Sequence, residues 1–528
     1  MTVPASPPPP PEIVDDRVRA DVVIVGAGVA GLYAAVRLPD HLEVVVVDKG
    51  VPGGDSGSSP WAQGGLAAAI GPEDSPDLHA ADTLAAGDGL CDPVAVGVLT
   101  REAPGHVRQL LQMGAEFDRL PGRLDSLDTA DLDLAREGGQ RVPRSVHRAD
   151  ASGAELVRLL RNAAVSKVTR LPGIVVSLAR DAAHRVTGLW VWVEGRLVAV
   201  DARAVLLATG GCGGLFAATT NPAHATGDGV SLALGVGAAV RDLEFVQFHP
   251  TGLAVAGTWR FLLTEALRGA GATLHDADGG RFLVDRHADA ELAPRHVVAK
   301  AILDQDDGTA WLDATHLSEH QFAQEFPTVL AGARRYGFDL ATERVPVTPA
   351  AHYQVGGVRT DLDARTSVHG LYAAGEVAST GVHGANRMAG NSLTEALVFG
   401  ARAAQAITAE LPDRHGDLGP APELVPSVQG GSDDLRRRLR ESMLVGAGPV
   451  RTGAGLAIVA AELDGMAGEL ATPAADAEAI ELWHALRVSR LLVKAARLRT
   501  ESRGGHWRDD HPAADDAWAD VHLEHVTT

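Results

Sequence analysis

Residues 20–49 read ADVVIVGAGVAGLYAAVRLPDHLEVVVVDK, and this stretch restricts the fold more than any other. The β-branched run Val22–Val25 predicts a buried strand, the Ala-rich stretch after Gly31 a helix, and Val44–Val47 a second buried strand. Gly26, Gly28 and Gly31 stand at the turn in G-x-G-x-x-G spacing, with Asp48 about twenty residues beyond and Lys49 after it. Gly26 permits the tight turn, Gly28 lets backbone approach a pyrophosphate, and Gly31 lets the helix pack on the strand. The helix start then faces the phosphates. The glycines alone are weak evidence of a dinucleotide site; with a strand on each side and the acid in place they are strong. A Rossmann-like α/β domain is expected.

The chain has 528 residues, too many for one simple core, so two or three domains are expected. Its 45% hydrophobic and 22% charged content describes a soluble globular chain. A net charge of −21 argues against nucleic-acid binding, while leaving individual pockets free to be cationic. Cys91 and Cys212 stand far apart in no CxxC pair, so neither a disulfide framework nor a metal site is expected, and a reducing compartment fits. The start, MTVPASPPPPPEIVDD, has a proline run and no apolar signal core, and reads as a disordered tail. The uncharged run Ala204–Ala223 is interrupted by Gly-Gly and Asn-Pro, against a membrane helix. A cytoplasmic location away from membranes is expected.

Arg196–Gly211, RLVAVDARAVLLATGG, reads as a hairpin-like pair of strands ending in a second glycine turn, and HGLYAAGEV, His369–Val377, as another strand, glycine and acid. Between them, Arg241 to about Ala350 differs in content (EFVQFHPTG, LLTEALRG, RFLVD, ELAPRHVVAKAI) and reads as an insertion. A Pro/Gly/Ser-rich linker follows near 409–432. Ser432, Asp433 and Asp434 look like a helix start, and Leu482, Ala485, Leu486, Ser489 and Val493 keep helical spacing. The expected plan is a tail, 1–19; a discontinuous Rossmann-like dinucleotide-binding domain, 20–240 and 351–412; an inserted α+β domain, 241–350; a linker, 413–431; and a C-terminal helical bundle, 432–528. There are no internal repeats.

Several ordered motifs carry a resemblance: VIVGAGVAGL, SSPWAQGGLAAA, LATGG, TGDGVSLA, EFVQFHPTGL, LLTEALRG, ELAPR, PAAHYQVGGV, LYAAGEVASTGVHGANRMAGNSLTEAL and ESRGGHWRDD. Over roughly residues 20–512 the chain resembles the flavoprotein family of succinate dehydrogenases, fumarate reductases and L-aspartate oxidases, the last branch most of all. The resemblance implies FAD, held by the discontinuous Rossmann-like domain as an FAD-binding domain, with the α+β insertion as its capping domain. It places Gly26, Ala27, Gly28, Val29, Ala30 and Gly31 around the diphosphate, Asp48 and Lys49 toward the adenosine, and Ser58, Ser59, Trp61, Ala62, Gln63, Gly64 and Gly65 along the flavin. Asp228, Glu376, Asn391, Ser392 and Leu393 complete the site, with Glu376 suited to a ribityl hydroxyl. The helix opening after Asn391 would aim its positive end at the flavin's N1–C2 edge. Ser392 also reads as a plain N-cap, with Glu395 completing a capping box. Ser58 stands where membrane-complex relatives carry a histidine bonded to FAD, and no histidine occurs between His41 and His79, so non-covalent FAD is expected.

The same resemblance gathers a reacting pocket. It puts Arg387 with His352 on one substrate carboxylate and His249 with Thr264 on the other, beside Glu265; arginine suits the task because its planar fork matches a carboxylate. Arg295 matches a residue that shuttles a proton in fumarate-reducing relatives, a role that demands a desolvated site beside other cations, because arginine is ordinarily a poor acid. Two positions depart from the pattern: His296 follows Arg295 where relatives commonly carry aspartate, and Gly390 stands where aspartate oxidases often carry serine. Glu137, in AREGGQRVPRSVHR, resembles the acid that aspartate oxidases direct at the substrate ammonium, a group that succinate and fumarate lack. Its alternative is a solvated ion pair with Arg136 or Arg141. The implied reaction is FAD-dependent oxidation of L-aspartate to iminoaspartate with oxygen or fumarate as acceptor, the first step of NAD biosynthesis, with the product passed to quinolinate synthase. A soluble fumarate reductase or succinate dehydrogenase flavoprotein is the rival enzyme, against which Ser58 and Glu137 speak. A flavin-binding scaffold without turnover is the rival of another class, opposed by the full set of pocket residues.

Overall fold

The computed structural model describes residues 17–50, 57–123, 126–255, 257, 259–425, 432–470 and 472–527. Most of the expected tail, 1–16, and residues 426–431 of the expected linker lie outside these described residues, while Arg17–Arg19 open the first strand.

Strands β1 (Arg17–Val25), β2 (Val44–Asp48), β3 (Val168–Pro172), β4 (Ile174–Arg180), β5 (Val186–Val193) and β6 (Arg196–Leu207) form one sheet in the order β3-β2-β1-β6-β5-β4. The first four in that order run parallel, and β5 runs antiparallel to its neighbours. Val22–Val25 and Val44–Val47 are buried without alternation because both faces of the sheet are covered. Helices α1 (Val29–Arg37) and α2 (Ser152–Ala164) pack together on one face, and α3 (Asp228–Gly235) lies in the core of the other.

Arg196–Gly211 departs from the expected pair of strands. β6 is one strand of 12 residues, hairpin-paired with β5 and continuing beside β1. The middle of the segment, Asp201-Ala202-Arg203, holds no glycine or proline to turn it, and Asp201 accepts from Arg17 Nε on β1 at 2.8 Å, which keeps it in the ladder.

The insertion builds its own antiparallel sheet from β7 (Val246–Leu253), β8 (Thr273–His275), β9 (Ala310–Asp313) and β10 (Val345–Gln354), ordered β7-β10-β9-β8. With α4 (Glu265–Gly269), α5 (Arg295–Leu303) and α6 (Pro327–Arg335) it encloses a separate core that includes Leu274, Val298, Leu312 and Val329. This cap is tied to the sheet domain at α6. Pro327 offers no N–H and Phe326 no side-chain cap, and the next two amides, Thr328 and Val329, donate to Asp150 Oδ1 and Oδ2 at 3.0 and 2.6 Å.

The chain then returns. β11 (Leu371–Ala373) adds parallel to β6 as the seventh strand, and α7 (Asn391–Glu410) packs on α1. Helices α8 (Ser432–Ala447), α9 (Gly453–Glu469) and α10 (Ala477–Leu498) follow. Leu439, Leu463, Leu486 and Val488 join one continuous core with Val205 and Leu232, so the C-terminal helices cover a face of the nucleotide-type sheet. Among the described residues, no helix is long and apolar enough to cross a membrane.

Candidate active site

One cavity takes its lining from the sheet domain and the cap. Gly26 sits at φ +108, where a side chain would meet Ala208 O at 2.2 Å, and a side chain at Gly31 would meet Gly26 O at 2.1 Å. Those two glycines are demanded by the chain's own packing. Gly28 is different: the nearest atom to a side chain there is Ser59 Oγ at 3.0 Å, so its bareness opens room on the cavity side. α1 begins beside this gap without a side-chain cap, and Val29 N–H donates to Ser59 Oγ at 3.2 Å. α7 also opens uncapped on the cavity, at Gly390 with φ +82. Two helix starts therefore present positive ends to the same space.

Lining atoms Gln63 Oε1, Thr209 Oγ1 and Asn221 Oδ1 are buried with no partner, which suits a polar ligand. Glu376 lies against Gly211 and accepts from Gln354 N at 2.9 Å; burial pushes its carboxyl up to about 7. A bare glycine passage, two uncapped helix starts and stranded acceptors fit a long, phosphate-bearing dinucleotide.

The reacting end is assembled mostly by the cap. His249 on β7 and His352 on the adjacent β10 hold their rings 5.0 Å apart. Thr264 caps α4 by accepting from Ala266 N at 3.3 Å, leaving its O–H free to donate. Glu265 and Arg295 are the first residues of α4 and α5, and Arg295 Nε donates to Glu265 Oε2 at 2.6 Å. Gln247 Oε1 accepts from Arg295 at 2.9 Å and from Arg387 at 3.0 Å, so one carbonyl oxygen spaces two guanidiniums. Arg387 also lies over the Tyr353 ring at 4.7 Å, and its Nε is buried with no partner.

Thr251 N–H donates to His249 Nδ1 at 3.2 Å, which leaves the ring proton on Nε2. His352 Nδ1 pairs with Thr220 Oγ1 at 2.8 Å. Burial, with the Arg295 cation nearby, holds both imidazoles well below their ordinary pKa, so they act as neutral hydrogen-bonding groups.

Glu137 is 5% exposed; its Oε1 accepts from Gly65 N at 3.0 Å. Its own N–H donates to Gln140 Oε1 at 3.0 Å. The solvated ion pair considered for it does not form: Arg136 donates to Gln140 O at 2.8 Å, and Arg141 pairs with Asp82. Burial and the neighbouring Glu265 push the Glu137 carboxyl above the usual range. Burial acts on Glu265 too, but Arg295 and Arg268 hold it below that range. Of two buried acids in one pocket, one is paired with a cation and the other lacks one among the described residues.

The structure brings together Glu137, His249, Thr264, Glu265, Arg295, His352 and Arg387, and all the predicted cofactor residues except Gly31 and Asn391 border the same cavity. Gly31 packs α1 on its strand. The Asn391 side chain turns away, to His79 Nε2 at 2.8 Å and Thr83 Oγ1 at 3.0 Å. The capping box is absent: α7 begins at Asn391, and Glu395 is held by Thr380, Tyr353 and His383 at 2.5, 2.9 and 3.0 Å. Sequence reasoning missed Gln247, Thr209, Asn221, Tyr353 and Arg268. The alternation in QFH, which sets Gln247 two residues from His249 on one strand, was a signal for the first.

Fold and cavity together define a class, the flavoproteins with an FAD-binding domain. Residues 21–393 match the FAD binding domain model, and residues 436–527 match that of the fumarate reductase flavoprotein C-term. The chain is 46% identical to an L-aspartate oxidase of Streptomyces coelicolor, covering 94% of this chain and 90% of that one. It is 45% identical to one of Caulobacter vibrioides (93% and 94% covered) and 41% identical to one of Mycobacterium tuberculosis (94% and 93%). Among solved structures, a mutant E. coli quinol fumarate reductase superimposes with a TM-score of 0.86 at 30% identity, covering 96% of this chain and 94% of that one. Mycobacterium smegmatis Sdh1 in complex with UQ1 does so with a TM-score of 0.81 at 32% identity, covering 96% and 92%. The chain belongs to the L-aspartate oxidase family, and FAD is its cofactor.

Proposed function

We propose that this protein oxidises L-aspartate to iminoaspartate, with FAD held non-covalently and oxygen or fumarate as the final acceptor, as the first step of NAD biosynthesis. The observation that carries the reading is Glu137, a buried acid with no cationic partner among the described residues, in a pocket otherwise furnished with guanidiniums and imidazoles.

Bound FAD supplies the two-electron acceptor. Arg387 and His352 take one substrate carboxylate, and His249 Nε2–H with the Thr264 hydroxyl takes the other. Glu137 receives the ammonium group, a charge-assisted contact that contributes about 1.5–3 kcal/mol. Succinate would leave that carboxylate buried without a partner, which disfavours it. Making an imine also removes protons, and Arg295 begins a route for one: Glu265 lies 2.6 Å away, and Arg268 is 3.7 Å beyond it. Ser58 offers no ring nitrogen for a covalent flavin bond. The cap keeps water from the product, and the imine's ready hydrolysis favours its passage to quinolinate synthase.

Steady-state assay of the purified FAD-loaded protein with aspartate, measuring imine and peroxide together, tests this. Equal yields of both in air, and imine formation with fumarate under anaerobic conditions, are expected. A yellow protein inert to aspartate with both acceptors overturns the proposal.

A further inference from the structure

We propose that Glu481, on the C-terminal helix α10, is a cofactor-positioning residue that acts through Lys49, so that the C-terminal helices help set the affinity for FAD. The inference rests on FAD occupying the cavity described above and not on the identity of the substrate.

Lys49 extends from the end of β2 into the cavity wall beside Thr226, Gly227 and Asp228. An ammonium group has three N–H donors, and Lys49 has three acceptors: Thr226 Oγ1 at 2.9 Å, Asp228 Oδ2 at 2.8 Å and Glu481 Oε2 at 2.8 Å. Lys49 is thus fully used within the protein, and its part is to hold the carboxylate of Asp228, whose other oxygen accepts from Thr226 at 2.6 Å. Glu481 does not border the cavity. It meets the cofactor wall through its ion pair with Lys49, and its second oxygen is held by Arg436 of α8 at 2.5 Å. The result is an alternating chain of charges, Asp228, Lys49, Glu481 and Arg436, largely buried, that runs from the cofactor wall into the C-terminal helices.

The same face of α10 clamps the turn that carries Asp228. His484 joins Ser231 Oγ at 2.8 Å and Val175 O at 3.0 Å. Val488 presses on Gly227, where a side chain would meet Val488 Cγ1 at 3.2 Å. Residues 481, 484 and 488 recur at helical spacing, so one stripe of α10 supplies a hydrogen-bonding ring and a packing contact to this turn and an ion pair to the Lys49 that holds its Asp228. Coupling of this kind is reciprocal: if docking of α10 favours FAD, FAD must favour docking of α10.

The test uses the full chain, stripped of FAD and reloaded. Flavin fluorescence titration gives the Kd for FAD, and hydrogen exchange of the α10 amides is compared with and without FAD. Glu481→Gln is expected to bind FAD about tenfold more weakly or worse, with Glu481→Asp between it and the wild type. FAD should slow exchange along α10 in the wild type and not in Glu481→Gln. An unchanged Kd in a folded Glu481→Gln, or wild-type α10 exchange that is indifferent to FAD, overturns the proposal. Should Glu481→Gln fail to fold by thermal unfolding of its apoprotein, the wild-type exchange comparison decides alone.

Discussion

Arg295 Nε donates to Glu265 Oε2 at 2.6 Å and, against burial, holds that carboxyl below the usual range, while burial and the neighbouring Glu265 raise the pKa of Glu137. At the reacting end of the cavity Glu265 has a cation of its own, and Glu137 has none among the described residues. Replacing that acid by its neutral isostere, Glu137→Gln, is expected to lower kcat/KM for aspartate by about a hundredfold, the loss of one charge-assisted contact in a dry site. Fumarate reduction by the same variant should fall far less. Parallel steady-state measurements of the two activities check this, and equal losses count against an ammonium contact.

A pH dependence follows with a definite sign. Glu137 must be ionised to pair with an ammonium group, and its pKa in the free protein lies above the usual carboxylate range. As pH falls through that raised value, the acid takes up a proton and KM for aspartate should rise. Glu137→Gln should lose this slope, as KM profiles of both proteins will show.

Arg295 touches both Glu265 and Gln247. Arg295→Leu should leave FAD bound, because no cofactor-end residue depends on it, while kcat falls by about 10²–10⁴, the usual worth of a positioned proton-transfer group. Absorbance of the bound flavin and turnover, measured on one preparation, separate the two effects.

The first β-α-β unit was legible because its glycines, buried valines and acid are local signals, and the structure adds that Gly26 and Gly31 are forced by packing while Gly28 leaves space. Continuity of β6 was not legible, since what keeps Asp201 in the ladder is Arg17, 184 positions away. The sharing of one core between α10 and the sheet was hidden likewise: Leu482, Leu486 and Val493 show a helical period but not what they meet. At the site, residue types and motif context pointed to Arg295, Arg387 and the two histidines. Gln247, an uncharged amide that becomes important only when two distant arginines converge on its oxygen, gave no comparable signal.

The cap depends on a carboxylate from the other domain. Asp150→Ala removes both acceptors at the start of α6, a loss of about 1–2 kcal/mol typical of a missing helix cap. Faster hydrogen exchange over residues 327–335 and a lower kcat/KM, with the sheet domain unchanged, are the expected outcomes.

Glu376 gives the apoprotein a second pH signature. Burial pushes its carboxyl up to about 7 in the folded state, well above the ordinary value of 4.5. Between those values the folded chain keeps a proton that the unfolded chain has lost, so this group's stabilising contribution is present at low pH and disappears as pH rises toward 7. Denaturant unfolding of apoprotein across that window should show a steeper decline for wild type than for Glu376→Gln.

The central claim is that Glu137 reserves one spot in the pocket for a nitrogen cation, and the most direct measurement is flavin absorbance under anaerobic conditions after adding aspartate or succinate. Bleaching by aspartate but not by succinate, with this preference lost in Glu137→Gln, is the predicted result. Bleaching by succinate at least as fast as by aspartate in the wild type would contradict it.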